Sequence, residues 1–404
     1  MRLAVVSPFV DRRHGTERCL AEQLERFAAQ PDAEIHLYAQ RVADLAAVVR
    51  YPETSAGHIT WHKVPRLPGP HLLGYVWWFV ANHFQRWWDT RFRGLKLDLT
   101  YSPGINAINA DAVTIHVLFT EFYRRVRPHL RLRDASVSLW PVVVHRLLYY
   151  RLICLLEQRI YPCKNTSLTT ISRRSAGCVR SFFKRDDVTV ICYGVDTRTF
   201  HPRARLERRQ SARNLLHIRA ADCCLLLIGN DWKSKGLDTL LRSISACPEI
   251  DFRLLVVGSD DPRVHAEMIR VLHLDSKVQF CGSSSDVMQF YAAADVYASP
   301  SREDAFALPP IEAMACGLPV ITSSNNGGSQ IITEGADGFV MADAEDSIAL
   351  ANRLRRLAQD QDLRNRIGEN AARTAQEYTW DRNATETWEF LKAAHAKKVG
   401  SQSG

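Results

Sequence analysis

Short, continuously apolar runs alternate with segments of helical period along this chain, and the alternation starts over about halfway. In the first half the apolar runs are Leu3–Val6, Ile35–Tyr38, Ile59–Val64, Leu99–Tyr101, Val113–Val117, Leu168–Ile171 and Val188–Cys192. Between them Leu20, Leu24 and Phe27 recur at helical spacing behind Gly15, and helices are read over Val76–Phe92 and Val142–Tyr161. A strand that is apolar on both faces must be covered on both, so this order of elements dictates parallel sheet between helices. After His201-Pro202 and an Arg-rich polar stretch the pattern resumes. Strands are read at Cys223–Ile228, Phe252–Val257, Val278–Phe280, Val296–Ala298 and Pro319–Thr322. Helices are read at Leu237–Ser245, Val264–Leu272, Val287–Ala294 and Pro309–Cys316. The reading is α/β, with two doubly wound parallel-sheet domains, 1–195 and 196–379, joined near 195–220. A chain of 404 residues suits two such cores. Sheets of this kind bind ligands beyond the carboxyl ends of their strands, so a central cleft between the facing domains is the expected active site.

The last segment, 380–404, puts Trp380, Ala384, Trp388, Leu391 and Ala394 on one helical face. So wide an apolar stripe has to dock. Two dockings fit: a helix crossing back to the first domain, followed by a disordered tail, or packing on the second domain.

Several function classes fall away on missing parts. A nicotinamide dehydrogenase needs G-x-G-x-x-G after a strand, and no G-x-G occurs; a P-loop needs Gly-Lys, and no such pair occurs. The ten cysteines form no C-x-x-C pair, which favours buried reduced thiols over a zinc or redox site. No cluster with metal-ligand spacing stands out, so neither a metal nor another cofactor is expected. MRLAVVSPFV lacks the cleavage site of a signal peptide, and no run reaches the roughly 18 apolar residues of a spanning helix. The richest candidate, Leu139–Leu156, is broken by His145, Arg146 and Arg151. The expectation is a cytoplasmic protein, soluble or peripheral at the inner face of the cytoplasmic membrane.

Charge is unevenly spread. Residues 1–200 hold 28 Lys and Arg against 17 Asp and Glu, a balance of +11, while 201–404 hold 24 against 27, a balance of −3. The first fifty residues balance at 7 and 7, so the excess lies between 51 and 200. A basic half of this kind fits an anionic neighbour: a membrane, a nucleic acid or a phosphorylated acceptor. No nucleic-acid module accompanies it, so no nucleic-acid partner is expected.

What remains are isolated glycines at strand ends: Gly15, Gly229, Gly258, Gly282 and the pair Gly327-Gly328. Backbone at such positions can approach a diphosphate closely. Four stretches then stand out in order: HGTER (14–18), CYGVDTRTFHP (192–202), GNDWKSKGLDTLL (229–241), and SREDAFALPPIEAMACGLPVI (301–321) with NNGGSQIITEGADGFV (325–340). Together they resemble the retaining glycosyltransferases of the GT-B fold, specifically glycosyltransferase family 4. The resemblance covers nearly the whole length and is most specific in the second and fourth stretches.

The resemblance implies a nucleotide-sugar donor bound by the second domain. Gly15 and Thr16 correspond to the family's first glycine loop. Lys235 corresponds to the lysine that faces the donor diphosphate, where fixed positive charge stabilises the leaving oxygens. Asn230 stands where many relatives carry Arg, and Lys233 is the candidate for the missing cation. Glu312 would accept both ribose hydroxyls, and Phe306, Ala307 and Leu308 would offer backbone N–H groups to sugar and phosphate. In the family the first acid stands eight positions before the second, which selects Asp304 over its neighbour Glu303 as partner of Glu312. His116, at the carboxyl end of its strand, corresponds to a family histidine near the donor sugar and acceptor. No protein nucleophile is implied; the donor phosphate takes the acceptor proton, and no metal is required.

For the acceptor, GYVWWFVANHFQRWWDTRFRG (74–94) carries four tryptophans. On a helix Trp77, Val80, Phe84, Trp87 and Trp88 share a face flanked by Arg86, Arg91 and Arg93, the pattern of an interfacial helix on an anionic membrane. Packing against the first-domain sheet is the rival. The first alternative implies a lipid-linked, lipopolysaccharide-core or other glycan acceptor. The loop GNDWKSKG is most similar to that of lipopolysaccharide core glucosyltransferases, which points to UDP-glucose. A GDP-mannose-dependent mannosyltransferase and a GT-B nucleotide-sugar epimerase are the alternatives.

Overall fold

The computed structural model describes residues 1–12, 15–43, 45, 49–50, 59–127 and 140–402. His14 of the first glycine loop, Arg131 and Arg133 of the basic stretch, and the tail residues 403–404 lie outside the described residues. The chain divides into two compact units, Met1–Ile191 with Asn383–Gly404, and Cys192–Arg382.

Unit 1 contains β1 (Arg2–Val6), β2 (Phe9–Val10), β3 (Glu34–Ala39), β4 (Arg41–Val42) and β5 (Val49–Arg50). It continues with β6 (Ile59–Lys63), β7 (Leu99–Pro103), β8 (Ala112–Ile115), β9 (Ser167–Thr170) and β10 (Val188–Val190). Eight of these form one parallel sheet in the order β10-β9-β8-β7-β1-β3-β6-β5, and β2 pairs with β4. Its helices are α1 (Gly15–Ala28), α2 (His71–Phe92), α3 (Phe119–Val126), α4 (Trp140–Ile160) and α5 (Arg173–Phe183). The apolar runs read from the sequence supply the buried strands: Leu3, Val5, Ile35 and Leu37 pack with Leu20, Leu24 and Phe27 of α1 in one core.

Unit 2 runs α6 (Pro202–Leu215), β11 (Cys223–Ile228), α7 (Leu237–Ser245), β12 (Phe252–Val257), α8 (Arg263–Val271) and β13 (Val278–Phe280). It goes on through α9 (Met288–Ala293), β14 (Val296–Ser299), α10 (Leu308–Ala315), β15 (Val320–Ser323) and β16 (Phe339–Met341). Helices α11 (Ser347–Gln359), α12 (Gln361–Gln376) and α13 (Trp380–Gln402) complete the chain. The parallel sheet has the order β13-β12-β11-β14-β15-β16, so the direction of winding reverses between β11 and β14.

Three sequence expectations are corrected. The Arg-rich stretch after His201-Pro202 is the helix α6: the His201 ring accepts the Ala204 N–H (3.1 Å), and Pro202 occupies the first turn, where its missing N–H costs nothing. The last helix does not give way to a disordered tail but continues to Gln402. From Asn383 onward it belongs to unit 1, with Ala384, Trp388, Leu391 and Ala394 in the core beside Phe27, whose ring lies 5.2 Å from that of Trp388.

The third correction concerns α2. Its buried residues are Trp78, which packs with Ala4, Val6, Tyr38 and Val64, and the polar Asn82, Arg86 and Asp89. Asp89 accepts from the Tyr38 hydroxyl (3.0 Å), His62 (3.0 Å) and Arg93 (3.0 Å), and Asn82 reaches the Asn106 carbonyl (3.2 Å). Arg86 thus lies opposite the aromatic face rather than flanking it. Leu73, Trp77, Val80, Phe84 and Trp87 are exposed, Val80 and Phe84 by 58% each.

Candidate functional site

The reversal point of the unit 2 sheet is where two loops from neighbouring strands leave in different directions, and both carry charge. The first, after β11, begins at Gly229, whose φ of +137° and lack of a Cβ let the Lys235 stem lie against it. The loop is tied down by its own polar groups. Asn230 accepts from the Ser259 N–H (3.0 Å) and hydroxyl (3.1 Å), the Trp232 N–H donates to Asp260 (2.7 Å), and the Lys235 N–H to the Asp231 carbonyl (2.9 Å). At Gly236, φ is +83° and any Cβ would collide with the Pro300 carbonyl, so only glycine fits where the loop crosses the start of the second one.

That second loop follows β14 and carries Glu303 and Asp304. The Asp304 backbone bridges to Asn326: its N–H donates to Asn325 (3.1 Å) and its carbonyl accepts from Gly327 (2.9 Å). So held, the Asp304 carboxylate receives the Lys235 ammonium on one oxygen and the Phe306 N–H (3.2 Å) on the other. Both side chains of the ion pair are mostly sequestered, 17% and 15% exposed. Glu303 instead contributes its carbonyl to the Ser234 hydroxyl (3.2 Å). The frame that selects Asp304 over Glu303 therefore coincides with the acid that meets Lys235.

Glu312 lies on α10 in a run of small and apolar residues, and it is 5% exposed. An acid so enclosed needs a donor. The Tyr291 hydroxyl of α9 supplies one to Oε2 (2.8 Å). Tyr291 gave no signal in the sequence, being one aromatic in an Ala-rich helix. Asn326 was equally missed, though an Asn before Gly-Gly is a turn signal. It is fully buried, and its Oδ1 accepts from Ala307 (3.2 Å) and Gly328 (2.9 Å).

This corrects the expectation that Phe306, Ala307 and Leu308 all offer N–H groups to a ligand. Asp304 takes the first and Asn326 the second. Only the Leu308 N–H, at the start of α10, has no partner among the described residues, and the next two positions are prolines. Lys233 is exposed, and Asn230 is turned to Ser259.

The other expected residues belong to unit 1. Gly15 and Thr16 open α1. His116 is the first residue beyond β8, which ends at Ile115 rather than continuing to Val117. It is buried, and burial pushes its imidazole down to about 4, so it is neutral at neutral pH. Three residues on, α3 starts without a side-chain cap of its own. The carboxylate of Glu157 on α4 stands in, accepting the N–H groups of Phe119 (2.7 Å) and Thr120 (2.7 Å) and the Thr120 hydroxyl (2.5 Å). Burial raises Glu157 to about 7.

Among the described residues no helix is long and apolar enough to cross a membrane. Residues 211–374, inside unit 2, match the family model for glycosyl transferases group 1. A D-inositol 3-phosphate glycosyltransferase of Xylanimonas cellulosilytica is 30% identical over 242 residues, 56% of this chain and 57% of that protein. The lipopolysaccharide glucosyltransferase WaaG of Escherichia coli is 32% identical over 150 residues, 36% of this chain and 40% of that protein. The chain spans about half the length of the curated relatives it matches. The crystal structure of WaaG, a glycosyltransferase involved in lipopolysaccharide biosynthesis, shares the fold with a TM-score of 0.73 at 18% identity, over 96% of this chain and 99% of that one. A sucrose-phosphate synthase of Thermosynechococcus elongatus does so with a TM-score of 0.74 at 19% identity, over 98% and 99%. An Anabaena HepE solved with UDP and glucose gives 0.68 at 19%, over 97% and 99%. The protein has the GT-B fold, and its second unit carries a glycosyl transferase group 1 domain.

Proposed function

We propose that the protein transfers a hexosyl group from a nucleotide sugar, with UDP-glucose favoured, to a lipid-linked or lipopolysaccharide-core glycan, with retention at the anomeric carbon and without a metal. The observation that carries this reading is the Lys235–Asp304 ion pair across the reversal point of the unit 2 sheet. Lys235 holds a cation where a diphosphate departing from the anomeric carbon would gather charge, and a cation already in position needs no reorganisation as the bond breaks. Asp304 fixes that ammonium and is the acid nearest to it, poised for the hexose hydroxyls. Glu312, held by Tyr291, is the ribose acceptor of this scheme. The donor's anomeric C–O bond breaks, its electrons pass to the phosphate, and the phosphate takes the proton of the attacking acceptor hydroxyl on the same face. Neutral His116 is the acceptor-side hydrogen-bonding group.

UDP in the HepE structure and the lipopolysaccharide role of WaaG support the choice of donor and acceptor class. The exposed aromatic face of α2, with Arg91 and Arg93 at its end, supports contact with an anionic lipid surface near the acceptor. The test is a panel of UDP- and GDP-sugars with release of nucleotide as readout, with and without EDTA. Release from UDP-glucose that survives EDTA is expected. An isomerised donor without release would replace this reading with an epimerase, and preference for GDP-mannose would replace the donor.

A further inference from the structure

In unit 1, between α3 and α5, lies a cavity of about 480 Å³ whose lining includes Glu121, Arg124, Arg125, Arg174, Cys178 and Phe182. We infer that it binds a phosphate group, and that this group belongs to the acceptor; the second half of the inference rests on the transferase reading above.

Spacing builds the groove. Glu121, Arg124 and Arg125 fall on one side of α3, and Arg174, Cys178 and Phe182 on one side of α5, each at three- or four-residue intervals. The two helices leave the carboxyl ends of β8 and β9, which are paired through Ile115 and Thr170. The groove therefore starts at the ligand edge of the sheet, and α3 begins three residues past His116.

Charge decides what it takes. Glu121 pairs with Arg125 and with Arg174 (3.4 Å), and accepts the Cys178 thiol (3.0 Å). One carboxylate thus holds two guanidiniums in place but cancels only one of their charges. With Arg124, three cations stand against one anion. A phosphate monoester carries a charge of about −1.5 to −2 near pH 7 and matches that excess; a single carboxylate does not. Guanidinium forks are also shaped for phosphate oxygens. The backbone is not the donor here, because Glu157 already takes the first N–H groups of α3. The volume exceeds one phosphate, leaving room for the sugar or headgroup that bears it, with Phe182 as an apolar wall.

Gly177 supplies an independent observation. It sits inside α5 on the groove side, where glycine is a poorer helix former than alanine. A Cβ added there would meet nothing within 4 Å, so helix packing does not demand the glycine. What it preserves is the open space of the groove.

The test is calorimetric titration of the full chain, with the donor site saturated by UDP, using inorganic phosphate, glucose 6-phosphate and phosphatidic-acid vesicles as probes. One phosphate is expected per chain, with affinity falling at least tenfold in Arg124→Ala/Arg174→Ala. Gly177→Leu is expected to lose binding while its Tm rises or holds, which separates a filled groove from a damaged fold. A sugar phosphate that binds more tightly than inorganic phosphate, with the same dependence, puts the group on a soluble glycan. Vesicle binding that falls tenfold in the double variant puts it on a lipid. Phosphate binding unchanged in both variants, or absent from the wild type with all three probes, overturns the inference. If neither UDP nor GDP binds, the transferase reading fails, and the same titration in Lys235→Ala still decides the groove.

Discussion

In unit 2 the charged groups at the sheet's reversal point are held by one another: Lys235 by Asp304, Asp304 by the Phe306 N–H, Glu312 by Tyr291. In unit 1 the long helix α2 turns a row of polar residues inward beside Trp78, where Asp89 gathers Tyr38, His62 and Arg93, and leaves Trp77, Phe84 and Trp87 in solvent. Another tryptophan-bearing helix of that unit, α13, does the opposite and buries Trp388 and Leu391. An apolar stripe shows that a helix has two faces, but it does not fix which one turns inward. A polar face can be buried when each of its groups finds a partner, because hydrogen bonds made inside replace those lost to water. The apolar face then stays exposed.

The comparison can be broken most sharply at the ion pair. Lys235→Ala removes the cation while leaving the sheet untouched, and turnover on the preferred nucleotide sugar is expected to fall by about 10²–10³-fold. A loss below tenfold would mean that the self-paired charges of unit 2 are structural. Next in size is the contrast between the two helices. Leu391→Ala should destabilise unit 1 by about 2–5 kcal/mol in urea unfolding, the range for emptying a buried leucine site. Phe84→Ala should change it by less than about 0.5 kcal/mol, as for an exposed position. Phe84→Glu should leave stability equally unmoved while abolishing flotation with anionic vesicles. Equal costs at positions 84 and 391 would show α2 to be a packed helix after all.

The smallest effect is in pH. Unfolded, His116 binds its proton near 6.5; folded, it refuses it until about 4, so acidification through that window favours unfolding. Glu157 runs the other way: the folded unit keeps its proton up to about 7 and the unfolded chain only to about 4.5, so its contribution is lost as pH rises through that range. Each amounts to at most about 1.4 kcal/mol per pH unit. Glu157→Gln should therefore steepen the loss of stability between pH 7 and pH 5. Parallel profiles for variant and wild type would contradict the buried carboxylate's role.

Much of this was legible in the sequence because one physical rule dominates there. Runs such as Cys223–Ile228 can only be strands buried on both faces, and their alternation with helices fixes the parallel sheets. The choice of Asp304 over Glu303 rests on the spacing to Glu312 that the family resemblance implies, and Asp304 is the acid that meets Lys235. What escaped depends on three-dimensional satisfaction. The Phe306 and Ala307 N–H groups look available in a list of residues, but Asp304 and Asn326 consume them. Arg86 looks like a flank of the aromatic stripe, yet lies inward beside Asn109 (3.2 Å). The helix α6 was hidden because its residues are charged, although His201-Pro202 is a serviceable start signal.

The central claim is that Asp304, paired to Lys235, serves sugar transfer from the reversal point of unit 2. Steady-state nucleotide release by Asp304→Asn and Glu303→Gln, measured side by side on the donor the wild type prefers, tests it most directly. The account predicts at least a hundredfold loss in Asp304→Asn and less than a threefold change in Glu303→Gln. Full turnover in Asp304→Asn with loss in Glu303→Gln would contradict it.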